Sequence, residues 1–192
     1  MVSIVIMLNL AGKQRLSSLL TPENRYALIH FLFNRMLRML TGCTIYIATP
    51  DSLEGEYTII RDRWKDINRV LSKAQDIVED DMIILPCDLP FVERDHIDAL
   101  IAECVTIVPS QDGGTNALYV PENVSFTTQF GKNSFQNHVD LFTSHNIAYR
   151  IIRCEKFRDI DEESDITWAL SHEPDSEFSH FMSSLLHTDP DT

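Results

Sequence analysis

Basic side chains are scarce in this 192-residue chain. Sixteen lysines and arginines face 29 aspartates and glutamates, a net charge of −13. A nucleic-acid groove needs a basic face, so this balance argues against nucleic acid as a partner. The deficit is uneven: residues 155–192 hold eleven acids against two bases, and the rest is nearly balanced. That end reads most simply as a solvated surface that aids solubility. The four cysteines, Cys43, Cys87, Cys104 and Cys154, stand far apart with no Cys-x-x-Cys. That pattern fits small buried hydrophobes in a reducing cytosol rather than a thiol metal site. Seven histidines show no metal spacing, although His138 and His145 can share a helix face. Nothing resembles a signal peptide or a membrane span, and the apolar run at residues 2–10 is far too short to be one. A cytoplasmic protein with no membrane partner is expected. A Walker A loop is missing too, because Gln14 follows Lys13 and Met7 stands where the first glycine belongs. No internal repeat, low-complexity run or inter-domain linker is present.

What is there is a rhythm. Hydrophobic residues make up 44% and charged residues 23% of a chain long enough for one domain with a sizeable core. Strand-like apolar runs at 3–8, 43–48, 57–60, 82–87 and 104–108 alternate with helical patterns. Thr21-Pro22-Glu23 is a helix start with a cap, a proline in the first turn and an early acid, and Gly42 closes that helix. Asp66 can cap a second helix with Ile67, Val70, Leu71, Ala74 and Val78 inward, and residues 93–101 suit a third. Past Gly113 the rhythm breaks. Residues 117–120 and 124–126 suggest extra strands, followed by a helix from Ser134 and a strand at 148–152. Continuous apolar strands alternating with helices predict an α/β fold with a mainly parallel sheet covered on both faces.

The most informative stretch spans residues 109–138. Gly113-Gly114 forms a turn in which the backbone can come close to a ligand. Gly131 precedes a helix start at which Asn133 or Ser134 can act as cap. Free N–H groups and the positive dipole end suit a phosphate or carboxylate there. The two turns suggest one anion pocket; they also fit an ordinary hairpin turn and an ordinary capped helix.

Ligands of such sheets bind at the carboxyl ends of strands. The first strand ends in Gly12-Lys13-Gln14-Arg15, which can hold phosphates or can be a plain basic loop. The fourth ends in Pro86-Cys87-Asp88-Leu89-Pro90, where Asp88 is either a magnesium ligand or a turn aspartate. Asp159 and Asp161, two apart in an extended segment, point the same way and can face Asp88 across a metal. Glu162, Glu163 and Asp165 look like the acidic first turn of the next helix.

These motifs together resemble one family. Asp112-Gly113-Gly114-Thr115-Asn116-Ala117-Leu118, then Phe130-Gly131-x-Asn133-Ser134-Phe135-x-x-His138, then Asp159-Ile160-Asp161-x-x-x-Asp165-Ile166, with Gly12-Lys13-Gln14-Arg15-Leu16-Ser17 in front, are similar to the 2-phospho-L-lactate guanylyltransferase family of the CofC type. The likeness runs over roughly residues 2–170. It implies a Rossmann-like three-layer α/β/α sandwich of the nucleotide-diphospho-sugar transferase type. The implied reaction joins GMP from GTP to 2-phospho-L-lactate or phosphoenolpyruvate, releasing pyrophosphate, in coenzyme F420 biosynthesis. It further implies that Gly113, Gly114, Thr115, Asn116, Gly131 and Ser134 hold the acceptor. Gly12, Lys13 and Asn68 would meet the nucleotide, with Lys13, Arg15 and Asp88 catalytic and Asp88, Asp159 and Asp161 binding Mg2+. Met7-Leu8-Asn9 and Asp66-Ile67-Asn68 depart from the family's usual residues after the first strand and near the base. Two rivals stay open: another nucleotidyltransferase of this fold with a different nucleotide or acceptor, or a non-catalytic nucleotide-binding homologue.

The resemblance sets a nucleotidyltransferase domain at 1–170 and an acidic extension at 171–192 belonging to the same unit. In the extension, Phe178, Phe181, Met182, Leu185 and Leu186 form one helical stripe, for the core or for a homodimer contact.

Overall fold

The computed structural model describes residues 2–187; residues 188–192, the end of the expected extension, lie outside the described residues. Seven strands form one sheet: β1 (Val2–Met7), β2 (Thr44–Thr49), β3 (Thr58–Arg61), β4 (Asp81–Pro86), β5 (Val105–Pro109), β6 (Thr115–Val120) and β7 (Tyr149–Ile151). Their order is β3-β2-β1-β4-β6-β5-β7. All pairings are parallel except those of β6, which runs antiparallel to β4 and β5. The start of β6 therefore lies at the same edge as the ends of β1, β2 and β4.

The strands are apolar on both faces, and the residues sort by parity. Ile4, Ile6, Ile83 and Leu85 enter one cluster with Ile29, Phe33 and Met36 of α1 (Pro22–Met39). Val5, Ile84 and Leu118 enter the other with Val70, Leu71 and Ala74 of α2 (Ile67–Ile77) and Phe142 of α4 (Ser134–Ser144). A strand alternates its side chains between faces, so helices on both faces make three layers. The helix starts follow their signals. Thr21 accepts the amide of Asn24 at 3.2 Å ahead of Pro22. Asp66 accepts the amides of Asn68 and Arg69 at 3.1 and 3.3 Å.

Two expected elements differ. The helix at 93–101 is only α3 (Arg94–Asp98), held by a capping box between Glu93 and His96. Residues 124–126 form no strand. Both edges of β6 are already taken by β4 and β5, so the segment after Pro121 has no ladder to join. It turns instead, Val124 N bonding Pro121 O at 2.9 Å, and lays Val124 and Phe126 on the core beside α4.

The α6 stripe serves the core. In α6 (Glu177–His187), Phe178 and Met182 are buried with Leu28 and Leu32 of α1, Phe91, and Ile166 and Ala169 of α5 (Glu163–His172). Phe181 stacks on Phe31 with centroids 4.2 Å apart. Truncating Phe178 to alanine should cost about 3–5 kcal/mol, as removal of a fully buried aromatic does. Leu186→Ala, at a position 37% exposed, should change stability by no more than about 0.5 kcal/mol. Urea unfolding of both variants checks this; equal midpoints would refute the packing.

Candidate active site

The carboxyl edge of the sheet carries a cavity of about 340 Å³. Its walls come from the ends of four strands: Met7, Leu8 and Asn9 after β1, Ala48 and Pro50 after β2, Asp62 after β3, and Cys87 and Asp88 after β4. Gly12, Lys13 and Asp161 line it too, with Ile29, Ile67 and Pro86. A neighbouring cavity of about 220 Å³ is lined by Arg15, Asp112, Arg158, Asp159 and Asp161 among others. Asp161 thus borders both. The largest hollow, about 910 Å³, lies elsewhere, between α1 and the loop at 52–57. None of the sequence-predicted site residues lines it, so size does not identify the site here.

Lys13 stands at the centre. Its backbone sits in the left-handed region, φ +60°, just before a 3-10 turn at Gln14–Leu16. A non-glycine residue there costs about 1–2 kcal/mol, and such strain persists only where surroundings hold it. Here the ammonium is the hold: Nζ donates to Asp88 and, at 2.7 Å, to Asp161 Oδ1. The side chain is only 6% exposed. Burial alone would depress the lysine pKa, but Asp88 and Asp161 outweigh it and keep the ammonium charged above the usual lysine range. Two of its three N–H donors are engaged, leaving one for a ligand oxygen. Arg15 is exposed and reaches Glu162 at 3.4 Å and Asp161 at 3.9 Å.

Asp159 sits beside them. Asn116 donates to it at 3.0 Å and to the Phe157 carbonyl at 2.7 Å. Burial, then the charges of Asp88 and Asp161, push the Asp159 carboxyl up to about 6 despite the Asn116 bond. Cys87 is no thiolate nucleophile: burial, then Asp88, pushes its thiol up to about 12.

The glycine turn and the α4 start come together on the same edge. Phe135 N donates to Gly113 O at 3.2 Å, and Ser134 N to Gly131 O at 3.1 Å. Those two amides are therefore engaged within the chain, a correction to the expectation of free donors at this helix start. The cap also differs. Asn133 holds the N-cap position in the left-handed region and makes no side-chain cap bond, while Ser134 is the first helical residue. Ser134 Oγ instead donates to Thr115 Oγ1 at 3.1 Å, and His138 Nδ1 lies 3.2 Å from the same oxygen. Gly113 (φ +87°) and Gly131 (φ +130°) take conformations that side chains avoid. Gly114 donates its amide to Asp112 at 3.1 Å. Thr115, Gly131 and Ser134 line neither of the two strand-end cavities.

A β-bulge separates the two groups of residues. Val108 pairs with Ala117 but Pro109 with Thr115, so Asn116 is an extra residue in β6. Strict alternation would put Thr115 on the face of Ala117 and Tyr119. The bulge turns it to the opposite face, against His138 of α4, and lets Asn116 reach Phe157 and Asp159 instead.

The comparisons agree with this architecture. A family model described as "Guanylyl transferase CofC like" matches residues 1–189. The chain belongs to this family. It is 32% identical over 150 residues to a 2-phospho-L-lactate guanylyltransferase of Methanocaldococcus infernus, covering 72% of this chain and 69% of that one. It is 31% identical over 176 residues to a phosphoenolpyruvate guanylyltransferase of Roseiflexus castenholzii, covering 85% and 83%. A crystal structure of a putative nucleotide-diphospho-sugar transferase from Desulfovibrio desulfuricans shares the fold, with a TM-score of 0.79, 14% identity and 96% of each chain covered.

In this guanylyl transferase family member the three aspartates do not make a ready metal cage. Among the described residues no group of three or more His, Cys, Asp or Glu is arranged to hold a metal ion. Lys13 engages one oxygen of Asp88 and one of Asp161. Asp88 Oδ1, however, is buried without a hydrogen-bond partner, and Asp159 is left short of positive charge. Those two carboxylates fit a hard divalent cation, because magnesium takes one or two carboxylates and completes its shell with phosphate oxygens and water.

Asn68 needs the other correction. It does not line the strand-end cavity. Its Oδ1 accepts Phe130 N at 2.7 Å and Thr128 Oγ1 at 2.9 Å, and its Nδ2 donates to Phe130 O at 2.9 Å. The amide ties the loop before α4 to α2. Asp62, which sequence reading passed over, lines the cavity in its place. Its signal was present: an acid directly after a strand, as at Asp88. His138 was missed as a partner of Ser134, although four residues apart in a helix puts both on one face.

His138 also sets a pH dependence. Burial pushes its pKa down to about 4, with the Ser134 backbone pulling weakly the other way. A depressed histidine contributes stability that is whole above about pH 6.5 and is lost as pH falls towards 4, by up to roughly 3 kcal/mol. Urea midpoints between pH 7 and 4.5 should therefore fall more steeply for wild type than for His138→Asn. Identical slopes would contradict this.

Proposed function

We propose that this chain transfers GMP from GTP to 2-phospho-L-lactate or phosphoenolpyruvate and releases pyrophosphate, a step of coenzyme F420 biosynthesis in the cytoplasm. The observation that carries the reading is the buried Lys13 ammonium, held by the half-buried Asp88 and the more exposed Asp161, in the lining of a cavity made from strand ends. The nucleotide's base and ribose suit the cavity's apolar wall at Met7, Leu8, Ala48 and Pro50. Asp62, with Oδ1 engaged by the Trp64 amide at 2.8 Å, offers an acceptor suited to the N–H edge of guanine. Residues 1–170 form the transferase unit in this reading, and 171–192 extend it.

The chemistry asks for alignment more than for a base. A phosphate oxygen of the acceptor attacks the α-phosphorus, and the bond to pyrophosphate breaks. The attacking oxygen is already anionic near neutral pH, so no proton need be removed. Two polyanions must be brought together, which calls for fixed positive charge and geometric constraint. Lys13 supplies the charge with its free donor, and the two carboxylates keep it still. Arg15 covers the neighbouring cavity and meets the leaving pyrophosphate. A magnesium ion held by Asp88 and Asp159 would neutralise charge on the triphosphate. The Thr115 hydroxyl holds the acceptor phosphate beside the Gly113 and Gly131 turns, and Ser134, whose amide and hydroxyl are engaged within the chain, acts through Thr115.

Lys13→Met should lower kcat about a hundredfold to a thousandfold, the loss typical when one group is removed from a developing charge. Asp88→Asn should fall further, to background. Pyrophosphate release with each of the four NTPs and either acceptor measures both, with circular dichroism to check folding. A folded Asp88→Asn protein working at near-normal rate would overturn the assignment.

A further inference from the structure

The acceptor side holds a buried hydroxyl, Thr115, 6% exposed, whose oxygen meets two groups: Ser134 Oγ, which donates to it at 3.1 Å, and His138 Nδ1 at 3.2 Å. Which way the histidine bond runs depends on the tautomer, and a third contact decides it. The backbone N–H of Gln129 donates to His138 Nε2 at 2.9 Å. Nε2 is therefore the bare nitrogen, and Nδ1 carries the proton. A protonated Nδ1 cannot accept from Thr115, so it donates, its proton shared between Thr115 Oγ1 and the Ser134 backbone one turn earlier. The threonine oxygen then receives two hydrogen bonds, which fills its two lone pairs. Its own proton has neither neighbour to go to.

The surroundings keep this arrangement fixed. His138 is fully buried, flanked by Phe126, Phe130 and Phe142 with ring centroids 6.5, 5.2 and 5.9 Å away. No charged side chain is among these contacts, and burial keeps the ring neutral at physiological pH. Gln129 and Phe130 are set by Asn68, whose amide clamps the loop to α2. The chain of constraint thus runs from Asn68 through the loop to His138 and then to Thr115.

We propose that His138 is a positioning residue. Locked as the Nδ1–H tautomer by the Gln129 amide, it saturates the Thr115 oxygen and leaves the Thr115 hydroxyl only one role, that of donor to a phosphate oxygen of the acceptor. This rests on the reading of Thr115 as part of the acceptor site and adds what aims it. The device suits an anion. A hydroxyl free to rotate would present lone pairs to the phosphate as readily as its proton, whereas this one presents only the proton. It also explains the bulge, which brings Thr115 to the α4 face, where the histidine is.

Two isosteric changes separate the nitrogens. His138→Gln can keep an acceptor for the Gln129 amide but lacks a donor at the Nδ1 position. His138→Asn keeps the Nδ1-like donor and lacks the Nε2-like acceptor. Steady-state kinetics with GTP and phosphoenolpyruvate or phospholactate, on folded proteins, should show the acceptor KM raised about tenfold or more by Thr115→Val, the range for a lost hydrogen bond to a charged group. His138→Gln should raise it by a similar factor while the KM for GTP and kcat stay within about threefold, and His138→Asn should restore most of the loss. If Thr115→Val leaves the acceptor KM unchanged, the acceptor reading of Thr115 fails and the proposal with it. If Thr115→Val raises it but His138→Gln does not, or if both histidine variants impair both substrates alike, the positioning role alone is overturned. Long-range proton–nitrogen NMR of the wild-type protein reads the tautomer without any variant. A proton found on Nε2 would refute the proposal outright.

Discussion

One buried ammonium organises the active edge of this molecule. Lys13 lies among β1, β4 and the segment before α5, and it holds Asp88 and Asp161 together across 75 and 148 residues of sequence. The ammonium, with a side chain only 6% exposed, would not be stable at that depth alone. Removing Asp88 leaves it uncompensated, a change that typically costs about 3–5 kcal/mol, whereas Asp161, 40% exposed, is screened by solvent and contributes less. The strained backbone of Lys13 is tolerated for the same reason. The charges at this edge are thus fixed in place by one another.

The second constraint is the single bulge in β6. A parallel sheet with one antiparallel strand already brings the start of β6 to the ligand edge. The extra residue, Asn116, then divides neighbouring positions between two tasks. Asn116 braces Asp159 on the face of α1, and Thr115 meets Ser134 and His138 on the face of α4. Without the bulge both assignments would invert. The acidic cluster and the hydroxyl cluster are consequently coupled through one peptide bond, which sets their separation rigidly.

Much of the fold was legible because its signals are local. The Thr21 and Asp66 caps, the apolar runs and the parity of buried residues each depend on a few adjacent positions. What failed was non-local. Residues 124–126 have strand composition, but whether they pair depends on which strand edges other segments have taken. Asn68 was implied as a base-site residue by the family resemblance; its partners, Thr128 and Phe130, are about 60 residues away. At the site, sequence supplied the acids and the basic loop but not their pairing. That one ammonium, Lys13, joins Asp88 to Asp161 while Asp159 is held by Asn116 follows only from three dimensions. His138 was hidden for a different reason: a buried histidine among phenylalanines looks like ordinary core until its two nitrogens are traced to their partners.

If Lys13 and its two carboxylates mark the place of the triphosphate, a crystal structure with magnesium and a GTP analogue that cannot be cleaved between the α- and β-phosphates will show it. Guanosine should lie in the strand-end cavity, with a phosphate oxygen on Lys13 Nζ and the cation against Asp88 and Asp159. Nucleotide bound instead in the larger hollow between α1 and the loop at 52–57, with Lys13 untouched, would contradict it.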